Sequence, residues 1–180
     1  MSRPALVATA AAALLMSLFG QPASADGNRS WKKNVPEFTQ VIRAQGTIVD
    51  VAVGNPSFST LVTALQAANL VTTLQGKGPF TVFAPTNDAF AKIPPALLNF
   101  LLANPEALES VLLYHVTPGI KDVRFQFAPR DIPTVQGQDI YADREDELLF
   151  INNSKVLGRV IRTDNGVIYV IDSVLLPQYR

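Results

Sequence analysis

His115 is the only histidine in the chain, and it follows Leu108, Val111 and Leu112, which recur at helical spacing. A lone imidazole can serve as a general base, a metal ligand or a hydrogen-bonding core residue. On a mostly apolar helix face the last role weighs most, because burying an unsatisfied ring nitrogen is costly. Thr86 and Asp88, in TVFAPTNDAF at residues 81–90, are the candidate partners. A carboxylate beside His115 would fix its tautomer, as in a hydrolase, but a nucleophile motif is missing. Ser57, Ser59, Ser110, Ser154 and Ser173 stand in ordinary helix, turn or strand contexts, and none occupies a GxSxG elbow. No enzymatic activity is expected.

Other chemistry-bearing residues point the same way. Asp143-Arg144-Glu145-Asp146-Glu147 is the most acidic run, yet it lacks the spaced donors and the glycine of a calcium loop, so it reads as a solvated loop or hairpin end. Gly76-Lys77-Gly78 lacks the GxxxxGK[ST] frame that wraps phosphate and reads as a turn. With zero cysteines, thiol chemistry, cysteine metal sites and a disulfide-stapled miniprotein are excluded. No cofactor or metal is expected. Fifteen basic residues balance fifteen acidic ones, so the chain has no basic field with which to displace counterions from a nucleic-acid backbone. Nucleic acid is not an expected partner. The sequons Asn28-Arg29-Ser30 and Asn152-Asn153-Ser154 read as chance or structural features.

The start of the chain reads as a targeting segment. Arg3 precedes an apolar run over residues 5–19, and Pro22-Ala23-Ser24-Ala25 offers the small residues that signal peptidase requires. Residues 1–25 are therefore expected to be a signal peptide, 26–46 a polar lead containing Trp31, 47–177 one domain and 178–180 a tail. The apolar run is short for a membrane span and no second one follows, so the mature chain is expected to be secreted, periplasmic or extracellular, without a transmembrane segment.

Within the domain, Phe58, Leu61, Val62, Leu65 and Ala68 recur at helical spacing, with Pro56 and Ser57 as an entry, which predicts a helix over 58–69. A strand over 80–84 follows the Gly76–Pro79 breaker, and Thr86 or Asn87 can cap the short helix after it. Asn104 is expected to cap a further helix that begins at Pro105, where the missing N–H costs nothing. From Val116 the texture turns to short β-like runs at 132–135, 140–142, 148–152, 156–162 and 167–170. Asp164-Asn165-Gly166 is expected to be the hairpin turn between the last two, using the positive φ that Asn-Gly tolerates. An α+β domain fits this order, with helices ahead of most of the sheet.

TIVDVAVGNPSFSTLVTAL, GPFTVFAPTNDAF, LLYHVTPG, INNSKV and the closing NGVIYVIDSVLLP stand in an order and spacing that resemble one fasciclin-type (FAS1) domain from about residue 47 to 177. The resemblance implies a wedge of two β-sheets flanked by short helices. It also implies a secreted noncatalytic adhesion or protein-interaction module that meets a cell-surface or matrix component. On the matched segments, the expected interaction surface centres on Asp88, Tyr114 and His115. The chain contains no Arg-Gly-Asp motif, so integrin recognition is not implied by that route.

The alternative function is carriage of a small apolar ligand. Phe58, Leu61, Phe80, Phe83, Phe90, Leu101, Phe125 and Phe127 could line a pocket, although the same residues suffice to fill a core. Two features favour an apolar contact surface: the proline-broken segment at residues 93–102, and Phe125 with Phe127 at one strand parity. Exposure decides between binding and packing.

Overall fold

A computed structural model describes residues 40–124, 130–146 and 148–177. The expected signal peptide, residues 26–39 of the lead, the Phe125/Phe127 pair, Glu147 and the tail lie outside the described residues. Along the chain run β1 (Val41–Arg43), α1 (Ile48–Val53), a 3-10 turn (Pro56–Phe58), α2 (Ser59–Ala67), α3 (Val71–Leu74), β2 (Phe80–Pro85), α4 (Asn87–Ala91), α5 (Pro95–Ala103) and α6 (Pro105–Tyr114). Then come β3 (Val116–Pro118), β4 (Arg130–Pro133), β5 (Asp139–Glu145), β6 (Leu148–Ile151), β7 (Ser154–Arg162) and β8 (Gly166–Ile171).

The strands lie in the order β3-β2-β8-β7-β6-β5-β4, and β7 divides this path into the two sheets of a wedge. One edge of β7 follows β8, while its other edge meets β6 at Ser154 and Lys155 and β1 at Val160 to Arg162. Between these stretches the register slips, and Gly158 takes φ +61, so the strand bends from one sheet into the other. Past β4, Val135 N–H donates to the Val116 carbonyl at 2.8 Å and draws the two ends of the sheet together. β1 lies ahead of Thr47, within residues 26–46 of the expected lead, and Val41 to Arg43 pair in parallel with Val160 to Arg162 of β7.

Strand alternation separates two cores. Phe83, Ile140, Ala142, Ile151, Tyr169 and Ile171 fill the wedge interior, where the Phe83 and Tyr169 rings stack with centroids 5.6 Å apart. Val82, Ala84 and Ile168 point the other way and join Phe58, Leu61, Leu65 and Leu112 under the helices. Each large apolar side chain so buried contributes about 1.5–3 kcal/mol.

Local chemistry explains where the helices begin and end. Thr47 and Asp50 close a capping box at the start of α1. The helix expected over 58–69 is divided: Asn55 caps the 3-10 turn, α2 starts at Ser59, and the chain leaves the helix before Asn69, which takes φ +56. Thr86 caps α4 by accepting from Ala89 N–H. The cap expected from Asn104 does not form; its Nδ2 donates back to the Phe100 carbonyl at 2.7 Å and closes α5, while Pro105 occupies the first turn of α6 as expected.

The turn at Asp164-Asn165-Gly166 joins β7 to β8 as expected, but not through positive φ, which neither Asn165 nor Gly166 adopts. Asn165 instead ties three elements: Nδ2 donates to the Leu74 and Gly76 carbonyls at 2.8 and 3.0 Å, and Oδ1 accepts from Ile48 N–H at 2.9 Å. Asn165→Ala is expected to lower stability by about 2–3 kcal/mol, because it strands one backbone donor and two acceptors away from their partners. Urea unfolding checks this; a loss under about 0.5 kcal/mol, the range of an ordinary surface change, would refute the latch.

Candidate functional site

Tyr114 and His115 end α6, and their side chains go to different layers. Tyr114 is buried in the wedge core; its hydroxyl donates to the Asp139 carbonyl at 3.2 Å and accepts from Asn152 Nδ2 at 3.1 Å. His115 is 2% exposed. Its Nδ1 lies 2.7 Å from the Val111 carbonyl, so that nitrogen carries the proton, and Nε2 accepts from Leu175 N–H at 2.8 Å. Thr86 and Asp88 are thus not its partners, which corrects the sequence expectation: the imidazole needs one acceptor and one donor, and backbone groups of α6 and the C-terminal segment supply both. Burial pushes its pKa down to about 4 against the opposing pull of the Val111 hydrogen bond, so the ring is neutral at physiological pH. With both nitrogens engaged inside the protein, His115 is not placed to move a substrate proton.

Asp88 stands in the first turn of α4, open to solvent, where a negative charge suits the helix N-terminus. The structure therefore does not unite the three expected surface residues: Asp88 is exposed, His115 is interior, and Tyr114 reaches the surface only as the floor of a groove. The adjacent Asn87 has a role the sequence did not announce. Its Oδ1 accepts from Thr60 N–H at 3.0 Å and its Nδ2 donates to the Pro56 carbonyl at 2.9 Å, capping α2 from α4 where Phe58 provides no side-chain cap.

The groove above Tyr114 runs over the outer face of β5 and β6, with a volume of about 870 Å³. Ile140 and Ala142 point into the wedge, so Asp139, Tyr141, Asp143 and Glu145 point out. Phe150, the cross-strand partner of Asp143, joins them. None of the three carboxylates is ion-paired among the described residues. The acidic run, expected as a solvated loop or hairpin end, lies at the end of the β5–β6 hairpin: Asp143 and Glu145 close β5, and Asp146 makes the turn with φ +53. Asn152 takes φ +51 in the β6–β7 turn, and its Oδ1 accepts from Tyr141 N–H at 2.7 Å, a structural use of that asparagine.

The fasciclin domain matches residues 56–177. The protein sll1483 of Synechocystis sp. is 44% identical over 133 residues, which cover 73% of this chain and 73% of that protein. The cell surface glycolipoprotein MPB83 of Mycobacterium bovis is 38% identical over 143 residues, covering 74% of this chain and 62% of its own length. Among solved structures, the FAS1 domain pair of the insect cell adhesion molecule fasciclin I aligns with a TM-score of 0.60 at 19% identity, over 73% of this chain. The chain spans about half of that structure, 51%, and at this identity the likeness concerns the fold. With a wedge of two sheets flanked by short helices, and a family match across most of the described residues, the chain belongs to the fasciclin domain family.

Proposed function

We propose that the protein is a secreted, noncatalytic association module that engages a cell-surface or matrix component through the groove on the outer face of β5 and β6. The observation that carries this reading is the groove's composition: Tyr141 and Phe150 offer flat apolar contact beside Asp139, Asp143 and Glu145, and Tyr114 braces the floor. Aromatic side chains ordered on a strand give contact area at low entropic cost, and carboxylates without an ion pair among the described residues favour a partner with cationic groups. The family's cell-surface and cell-adhesion members support a role in association. Asp88 is a second exposed contact in this proposal, whereas His115 supports the fold.

The test is binding of labelled protein to host envelopes at low and high salt. Tyr141→Ala combined with Asp143→Asn is expected to weaken binding at least tenfold, about 1.4 kcal/mol, with an unchanged Tm. Wild-type binding should also fall as salt rises. Undiminished binding by the folded double variant would remove the groove from the reading; loss on Asp88→Ala alone would move the contact to α4.

A further inference from the structure

We propose that the apolar cavity between α2, α5 and α6 is a binding site for one flexible hydrocarbon chain, the acyl or isoprenoid tail of a lipid-like molecule whose polar end stays outside. This inference is independent of the β5–β6 groove.

The cavity has a volume of about 330 Å³, walled by Ala64, Phe90, Ile93, Leu98, Leu101 and Leu108. Space of this size is at the lower end of small-molecule pockets. A methylene fills roughly the 30 Å³ that a water molecule takes in the liquid, so about ten methylenes fit. Among the described residues the lining contains no Asp, Glu, Lys or Arg. Its polar side chains are largely spent on the protein: Thr63 Oγ1 donates to the Ser59 carbonyl, Ser59 Oγ bonds Asn87, and both His115 nitrogens are engaged. A ligand's polar group would therefore find little inside to replace its water, whereas a hydrocarbon loses nothing by entering. Ser59 and Thr63 are exposed as well as lining the cavity, which puts the mouth and any headgroup along that side of α2.

The wall formed by α5 suits entry of a chain. Of PALLNFLLA only Leu101 is buried, with Leu97 and Leu98 half-buried. Pro94 and Pro95 precede the helix, and the axis bends by 109° into α6 at Asn104-Pro105. Phe100 and Leu102, 54% and 51% exposed, lie outside the cavity wall or at its rim. Of the residues the sequence offered for a pocket, Phe90 and Leu101 line this cavity, whereas Phe58 and Leu61 pack in the helical core and Phe83 in the wedge.

The test is a fluorescence titration of the delipidated protein with cis-parinaric acid, followed by competition with palmitic acid and with farnesol. Saturable enhancement at one probe per chain is expected, and Thr63→Trp at the exposed mouth should weaken it tenfold or more with unchanged circular dichroism and Tm. Phe100→Ser, in the neighbouring apolar groove beside Glu106 and Leu176 and not in this cavity's lining, should change it less than twofold. Stronger competition by palmitic acid assigns an acyl chain and stronger competition by farnesol an isoprenoid. Non-saturable binding, competition by neither compound, full binding by folded Thr63→Trp, or loss with Phe100→Ser would overturn the site. If Thr63→Trp fails to fold, Leu98→Trp on the opposite wall carries the same expectation.

Discussion

Gly166→Ala is expected to destabilise the domain by about 3 kcal/mol or more, lowering Tm by about 10 °C. A Cβ built on Gly166 falls 2.1 Å from the Phe80 carbonyl oxygen and 2.8 Å from Ile48 Cδ1. The first contact is with backbone, so no rotamer change relieves it. That backbone is fixed from both sides, because Phe80 opens the six-residue parallel pairing of β2 with β8 and its N–H donates to the Asn165 carbonyl at 3.0 Å. Gly78 meets the same turn: its Cβ would fall 2.2 Å from the Asn165 carbonyl oxygen. Gly54→Ala provides the control, since Gly54 has φ −72 and an added Cβ would meet nothing closer than 3.4 Å. Thermal unfolding of the two variants measures the difference. Equal Tm values would mean that β2 and the β7–β8 turn do not approach as closely as this geometry requires.

Acid is expected to remove about 3 kcal/mol of stability between pH 7 and pH 4 through His115 alone. Burial lowers its folded pKa from the ordinary 6.5 to about 4. In that window the unfolded chain binds a proton that the folded chain refuses. The stabilisation is therefore complete above pH 6.5, declines as pH falls, and is gone below about pH 4. Asp50, Asp122 and Asp172 are held below the ordinary carboxylate value of 3.8, so the loss through them begins as pH approaches that value and falls mostly below it. For Asp50 the cause is hydrogen bonding from Thr47; for Asp122 it is chiefly the Arg124 side chain. For Asp172 burial acts in the opposite direction and is outweighed by hydrogen bonds from Lys92, Lys155 and Ser173. Because the chain has one histidine, the decline between pH 6.5 and 4.5 belongs chiefly to His115. His115→Gln is expected to be less stable at pH 7 by about 1–3 kcal/mol, through weakened pairing of the Val111 carbonyl and Leu175 N–H, and to show no decline between pH 6.5 and 4.5. Urea unfolding of both proteins across that range decides the matter: parallel slopes would place the titration elsewhere.

The β5–β6 groove and the helical layer that holds the cavity both lie on strand faces turned away from the wedge interior. Residues that face outwards along β5 leave aromatic and carboxylate groups at the surface, while the second face of β2 and β8 provides the floor on which α1, α2 and α6 pack. The wedge thus exposes chemistry on one sheet and encloses apolar volume beneath the helices.

Local sequence determined the family, the α+β order and most element positions, because these depend on short-range physics: apolar spacing for α2 and α6, proline at the first turn of α6, threonine at the cap of α4, and a short continuous apolar run for β8. It also marked His115 as a core residue in need of hydrogen bonds. Only the tertiary structure decided who supplies them, since Leu175 lies sixty positions away in the chain and offers a backbone N–H that no residue type announces. The same holds for Asn165, whose dipeptide with Gly166 suggested a positive-φ turn. Its amide was taken instead by carbonyls 91 and 89 positions earlier, and Gly166 answers to the closeness of β2 and not to its own φ. Asn87 likewise caps a helix that precedes it by 27 positions. Sequence patterns fix the face a side chain presents, whereas the identity of a long-range partner depends on how the sheets and helices come together.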